Sequence, residues 1–261
     1  MNIDRLSETR RHIIARCKMP PSFCPPLLKI SSDTKMTFKP IRAIRRIAEF
    51  VNFWSKDDRF LEHSTGVIHV GANVGQERRQ YAKYSLNVLW IEPIPELFKK
   101  LERNIHRYSN QFAIRALVTD KDDHPYTFNI ASNEGESSSI FPLKFHKDIW
   151  PRINYVRSLE LVSKTLPKAI ADADIDIRKY DALVLDTQGS ELLVLQGARS
   201  LLHHFRYILT EVADFEAYFG SCLLADLSEF LAKNNFEEVR RNRMARHPSG
   251  GSYFKVLFER R

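Results

Sequence analysis

A short apolar strand running straight into two closely spaced glycines limits this fold more than any other feature. Val67-Ile68-His69-Val70 is followed at once by Gly71-Ala72-Asn73-Val74-Gly75. Glycines at the end of a buried strand let backbone N–H groups come close to a ligand, because a Cβ there blocks the approach or forbids the turn. A polar helix over about 75–85 and a second apolar strand, Val88-Leu89-Trp90-Ile91, complete a β-α-β unit over residues 66–92. Glu92 ends that second strand, twenty-one residues after Gly71. An acidic side chain there suits hydrogen bonding to two ribose hydroxyls, so the unit reads as a nucleoside site at the carboxyl ends of adjacent strands.

The alternation continues to the end of the chain. A helix is expected from Pro95 to about Tyr108 and a third strand over Phe112–Leu117, with extra strands at Tyr126–Ile130 and Ser158–Ser163 in a less regular region. Ala182–Leu185 and Tyr207–Leu209 read as buried strands separated by a helix over about Ser190–His203. Helix 223–234, strand 236–241, a Pro-Ser-Gly-Gly turn at 248–251 and strand 252–259 close the chain. This pattern implies an α/β fold: a mostly parallel seven-stranded sheet, helices on both faces and an antiparallel C-terminal hairpin.

Charge divides the chain in two. Residues 1–60 hold thirteen Lys/Arg against six Asp/Glu, whereas residues 61–261 hold 27 against 26, so nearly all of the net +8 lies in the first segment. That segment is expected to be a basic helical appendage split by Pro20-Pro21 and Pro25-Pro26, which no helix runs through. Ile41, Ile44, Ile47, Val51 and Trp54 recur at helical spacing after the break. A basic arm suits nucleic acid, an anionic membrane or an acidic glycan, or is simply solvated; no interleaved aromatics suggest base stacking. No apolar run reaches the roughly 20 residues needed to cross a bilayer. Cys17, Cys24 and Cys222 make no metal pattern, and no signal peptide is evident, so reduced thiols and a cytoplasmic location are expected.

A dinucleotide fingerprint requires Gly-x-Gly-x-x-Gly to cradle pyrophosphate, but Asn73 stands at the second glycine position and Gln76 at the third. S-adenosyl-L-methionine carries no phosphate and tolerates the looser turn. Further stretches add to this: Ile68–Glu77, Trp90-Ile91-Glu92-Pro93-Ile94-Pro95, Ala116–Asp122, Asn133–Ser139, Leu185-Asp186-Thr187-Gln188-Gly189-Ser190-Glu191-Leu192 with Leu195–Ala198, and Thr210-Glu211-Val212. In this order, over about 66–260, they resemble the FkbM family of methyltransferases. The resemblance implies a class I methyltransferase (Rossmann-like) domain over 61–261, S-adenosyl-L-methionine as cofactor and transfer of a methyl group. It departs from the family at His69, where an acidic residue is common, and at Thr187-Gln188, which replaces a frequent Val-Glu pair.

The resemblance also implies roles. Gly71, Asn73 and Gly75 shape the cofactor turn, His69 stands near the methionine end, and Glu92 with Pro93 meets the ribose. Asp120 and Ser138 are candidates near the adenine or over the pocket, although Asp120 also suits a turn and the serines an exposed loop. Asp186 and Gln188 border the cofactor. Asp186, at the end of a buried strand, is the candidate general base, with Glu211 a second polar group in the same cleft; the alternative is that Asp186 only caps the following helix. His146 and His203-His204 carry less weight. With a carboxylate absent at 188, Asp186 and Glu211 are not expected to hold a metal. The expected acceptor is a hydroxyl on a sugar, glycan or secondary metabolite. Nucleic acid is disfavoured, since the fourth strand lacks the tetrapeptide of base N-methylation and no lysine-centred tetrad is evident. RNA 2′-O-methylation and cofactor binding without turnover are the alternatives.

Overall fold

A computed structural model describes residues 58–261 of the chain; the expected basic appendage and its proline-rich divider lie almost wholly outside the described residues. The body is built on a seven-stranded sheet in the order β3-β2-β1-β7-β8-β10-β9. Its members are β1 (Gly66–Val70), β2 (Asn87–Ile91), β3 (Gln111–Ile114), β7 (Ala182–Leu185), β8 (Tyr207–Ala213), β9 (Phe236–Arg246) and β10 (Ser252–Arg260). Neighbours from β3 to β8 pair in parallel, and β10 runs antiparallel to both β8 and β9. The expected class I methyltransferase architecture, parallel sheet plus C-terminal hairpin, is what the chain forms.

The period-two alternation of the strands separates two apolar layers. Ile68, Val70, Leu89, Ile91, Leu183 and Leu185 face one way, toward α4 (Leu166–Asp172), α5 (Glu191–Gly197) and α6 (Leu224–Lys233). Val67, Val88, Trp90, Val184 and Leu209 face the other, toward Tyr81 of α1 (Arg78–Lys83) and Leu101 and Ile105 of α2 (Pro95–Ile105). Pro95 sits in the first turn of α2, where its missing N–H costs nothing.

The expected third strand is corrected. Residues 112–117 do not stay in one sheet: β3 ends at Ile114, and β4 (Leu117–Val118) pairs instead with β6 (Tyr155–Lys164). With β5 (Pro125–Ala131) these form a separate three-stranded sheet, β4-β6-β5. There Leu117 buries against Ile94, Leu97, Phe128 and Ile130, apolar neighbours that β3 does not provide. The expected helix from Ser190 is also interrupted: α5 stops at Gly197 and a 3-10 turn, Arg199–His204, follows. The short α3 (His146–Ile149) and α4 had no counterpart in the sequence reading.

The register places the site. Val70 pairs with Ile91 and Leu185, and Leu185 with Thr210, while Glu211 stands opposite Lys255. One step beyond the paired ends, Glu92, Gly71, Asp186, Glu211 and Lys255 therefore make a single row across the carboxyl edge of the sheet. The row closes because Gly71 has no side chain: at φ +85°, a Cβ there lies 1.9 Å from the Asp186 carbonyl oxygen. Gly71→Ala is expected to cost more than about 4 kcal/mol, since backbone must move on both strands. Gly250→Ala is the control, having φ +106° but nothing within 4 Å; its strain alone should cost about 1–2 kcal/mol. Chemical denaturation of the two variants checks the difference.

Candidate active site

The turn after β1 is fastened by its neighbours. Gly71 and Ala72 donate their N–H groups to the Ile91 carbonyl, and Asn104 Nδ2 donates to the Val74 carbonyl at 2.8 Å. Gly75, at φ +70°, comes so close to α2 that a Cβ would lie 2.7 Å from Leu101 Cδ1. Asn73 takes the left-handed conformation, φ 47°, that a short polar side chain tolerates, and its Nδ2 reaches the Glu134 carbonyl.

Glu92 is buried, and each of its carboxylate oxygens accepts one backbone N–H: Oε2 from Asn73 and Oε1 from Ile94, both at 2.8 Å. Pro93 lies between Glu92 and Ile94 and fixes the bend that brings the carboxylate back onto its own chain. One side chain thus ties the glycine turn to the start of α2. With the carboxyl protonated, one lone pair and one O–H are left for a ligand, and two lone pairs once it is ionised. Asp120 follows β4, and its Oδ1 is buried with no hydrogen-bond partner among the described residues, so it retains an acceptor to be satisfied. Both features fit a nucleoside cofactor.

Two further expected residues are held by protein partners. His69 is buried on the α1–α2 face, stacked on Trp90 with ring centroids 5.1 Å apart, and its Nδ1 lies 3.1 Å from the Tyr81 hydroxyl. Burial, with a smaller contribution from Lys255, pushes its pKa down to about 3, so the ring is neutral. The Ser138 hydroxyl accepts the Ala131 N–H at 3.0 Å and closes the 131–138 loop on itself. Its neighbour Ser139 makes the contact with the β7 side, donating to the Gln188 carbonyl at 2.7 Å.

Asp186 does not cap α5. The N-cap of α5, Ser190, makes no side-chain cap hydrogen bond, and Glu191 fastens the preceding turn, its carboxylate accepting the N–H groups of Thr187 and Gly189 and the Thr187 hydroxyl. Asp186 Oδ1 instead accepts Gln188 Nε2 at 2.6 Å, and Gln188 Oε1 in turn accepts the Tyr218 hydroxyl at 2.5 Å. The amide at 188, where a carboxylate was noted as missing, thereby supplies a donor to Asp186. Burial first, and the charge of Glu211 next, hold the Asp186 carboxyl well above the usual carboxylate range. Glu211 is paired with Lys255, Nζ to Oε1 3.2 Å.

Lys255 and Tyr218 escaped the sequence reading. A lysine within Ser252–Arg260 looks like a solvent-facing strand position, yet Lys255 is buried. Its signal was a lone charge inside the apolar run Tyr253-Phe254-Lys255-Val256-Leu257. His146 packs against Trp150 and Tyr218, and burial pushes its pKa down to about 4. Among the described residues no group of three or more His, Cys, Asp or Glu is placed to hold a metal, and no helix is long and apolar enough to cross a membrane.

The family model described as "Methyltransferase FkbM domain" matches residues 69–241. A 2-O-methyltransferase, NoeI, of Sinorhizobium fredii is 22% identical over 200 residues, spanning 74% of this chain and 79% of that protein. Among solved structures, magnesium protoporphyrin IX methyltransferase from Synechocystis PCC 6803 with bound SAM is similar at 14% identity and TM-score 0.44, over 88% of this chain and 87% of that one. Ribosomal protein L11 methylase from Lactobacillus delbrueckii subsp. bulgaricus is similar at 14% identity and TM-score 0.40, over 75% and 70%. Neither structure adds to what the strand order already shows.

Burial raises the Glu92 pKa to about 8, against the opposing pull of its two N–H donors. A carboxyl raised on folding leaves the folded state holding a proton that the unfolded state has lost. Stability from this group therefore falls as pH rises from about 4.5 to about 8 and is level outside that window. Glu92→Gln replaces one acceptor by an amide, so the variant should be clearly less stable than wild type at pH 5. The gap should narrow steadily toward pH 8. Thermal melts of both proteins across this range provide the check, and a constant gap would contradict the raised pKa.

Proposed function

Because the chain belongs to the FkbM family and is therefore a SAM-dependent methyltransferase, we propose that it methylates a hydroxyl of a sugar, glycan or secondary metabolite, with Asp186 as general base. What carries this reading is the placement of Asp186: a half-buried carboxyl at the end of β7, beside the glycine turn, with Gln188 as its one hydrogen-bond donor among the described residues. The likeness to a 2-O-methyltransferase supports an oxygen acceptor.

S-adenosyl-L-methionine, when bound, supplies a methyl group on a sulfonium sulfur, open to in-line displacement. Gly71, Asn73 and Gly75 would hold it by their backbone, Glu92 would take the ribose hydroxyls on its remaining lone pairs, and Pro93 would keep that carboxylate turned inward. Asp120 Oδ1 would accept from the base, and the loop around Ser138 would cover it. His69, neutral and packed between Tyr81 and Trp90, supports this end of the site from beneath rather than by charge. The work left to the protein is mainly alignment, bringing the acceptor oxygen in line with the methyl carbon. Asp186 then takes the hydroxyl proton at its carboxylate. The upward direction of the Asp186 shift makes it a stronger base than an ordinary carboxylate. Gln188, held by Tyr218, fixes the rotamer of Asp186.

A second reading, transfer to a 2′-hydroxyl of RNA, is favoured by one observation: Lys255 lies in the same row as Asp186 and Glu211. Both readings use an oxygen acceptor and the same base, and they differ in which extract fraction carries the label.

Asp186→Asn should lower methyl transfer by roughly 100-fold or more, while S-adenosylhomocysteine affinity, measured by calorimetry, stays within about threefold of wild type. Labelled methyl groups from S-adenosyl-L-methionine should appear in a small-molecule or glycan fraction of cell extract; a label released by ribonuclease would favour RNA. Failure to bind either S-adenosyl-L-methionine or S-adenosylhomocysteine would sink the enzyme, binding without any labelled product would leave a module without turnover, and full turnover by Asp186→Asn would remove the base.

A further inference from the structure

The row at the carboxyl edge carries more acid than the site's single buried lysine balances. Asp186 and Glu211 occupy adjacent positions on the parallel strands β7 and β8, and Lys255 stands opposite Glu211 across the antiparallel β8–β10 pair. Lys255 Nζ lies 3.2 Å from Glu211 Oε1, and both side chains are largely removed from water. Every packed element turns ionisable groups toward this spot. Glu77, from the turn before α1, and Asp186 act on Lys255 along with Glu211. Glu191 of α5 acts on Asp186, the His69 ring on β1 feels Lys255, and Tyr218 and Tyr253 both feel Asp186.

Two carboxyl groups side by side in a buried row do not both ionise cheaply, so a proton is shared between them unless something decides its place. The decision follows from position. The ammonium is hydrogen-bonded to Glu211 rather than to Asp186, and the donor to Asp186 is the neutral amide of Gln188. An ion pair stabilises the charged form of its own partner most, and the neighbour one strand further on is left with the proton.

We propose that Lys255 is a positioning residue: by pairing with Glu211 it keeps that carboxylate ionised and leaves Asp186 as the carboxyl of the row whose proton comes and goes, so that the ionised form of Asp186 is the one that takes the acceptor's proton. The proton-trading half rests on the reading of Asp186 as base. The charge-assigning half stands on the β7–β8–β10 geometry alone. Lys255 reaches this place because β10 runs antiparallel between β8 and β9, so a residue near its start lies at the carboxyl ends of the parallel strands.

The test is a carboxyl-carbon NMR titration of the full chain labelled at Asp and Glu, comparing wild type with Lys255→Met, Lys255→Arg and Glu211→Gln. In wild type, Asp186 should titrate above the ordinary carboxylate range. Lys255→Met should raise the Glu211 midpoint by about one pH unit or more, so that Asp186 is no longer the one carboxyl of the pair to hold the proton, and Lys255→Arg should restore the wild-type order. Glu211→Gln removes the neighbouring charge and should lower the Asp186 midpoint, and the Lys255 Cε signal should titrate at lower pH in the same variant. A Glu211 midpoint unmoved by Lys255→Met overturns the proposal. If that variant does not fold, a Glu211→Gln protein in which neither Asp186 nor Lys255 moves overturns it equally. A merely structural lysine would leave these midpoints in place. The titration needs neither cofactor nor acceptor, so failure of the methyl-transfer reading shows itself separately, as absent cofactor binding or absent label.

Discussion

The structure depends on the contact between Gly71 and the backbone of Asp186. Two parallel strands meet there at van der Waals distance, and a single methyl group on residue 71 would overlap the Asp186 carbonyl. The Asp186 N–H donates to the Val70 carbonyl, and the Gly71 N–H to that of Ile91, so three strand ends are drawn to one point. Once they meet, Glu92 can bridge the turn to α2, and Asp186 comes to stand beside Glu211. The cofactor turn and the proposed base are therefore one piece of geometry: disturbing the first displaces the second.

Electrostatics at that edge are set by burial more than by the number of charges. Glu92 and Asp186 are both held above the usual carboxylate range by loss of water, but they are compensated differently. Glu92 receives two backbone N–H groups, which are fixed and suit a structural and binding part. Asp186 receives one side-chain amide and borders an ion pair, an arrangement in which a proton comes and goes with less rearrangement. Glu191 is buried and spends its carboxylate on the 187–189 turn.

Much of this was legible in sequence. Apolar runs with a period of two, broken by Gly71 and Gly75, fixed the β-α-β unit, because local sterics decide where a strand stops. The C-terminal hairpin was legible from the 248–251 turn for the same reason. The reading went wrong where tertiary contacts competed with local pattern. Phe112–Leu117 looks continuous, yet Leu117 finds its apolar partners in the second sheet. The partners of the serine loop were not legible either: the Ser138 hydroxyl accepts the Ala131 N–H, and Ser139 donates to the Gln188 carbonyl. His69 departs from the family pattern, and only its packing against Trp90 and Tyr81 shows it to be neutral and buried.

The sequence by itself determined the alternation of strands and helices, the glycine turn, the acidic end of β2 and the family, since each is carried by residues close together in the chain. Tertiary structure alone decided which charges meet. Glu77, Asp186, Glu211 and Lys255 come from far apart in the sequence, and only the strand order β1-β7-β8-β10 gathers them at one edge. The physical reason is that a side chain's direction is local, whereas its neighbours and its exposure to water depend on which strands pair. Lysine at 255 reads as solvent-facing until the sheet closes over it.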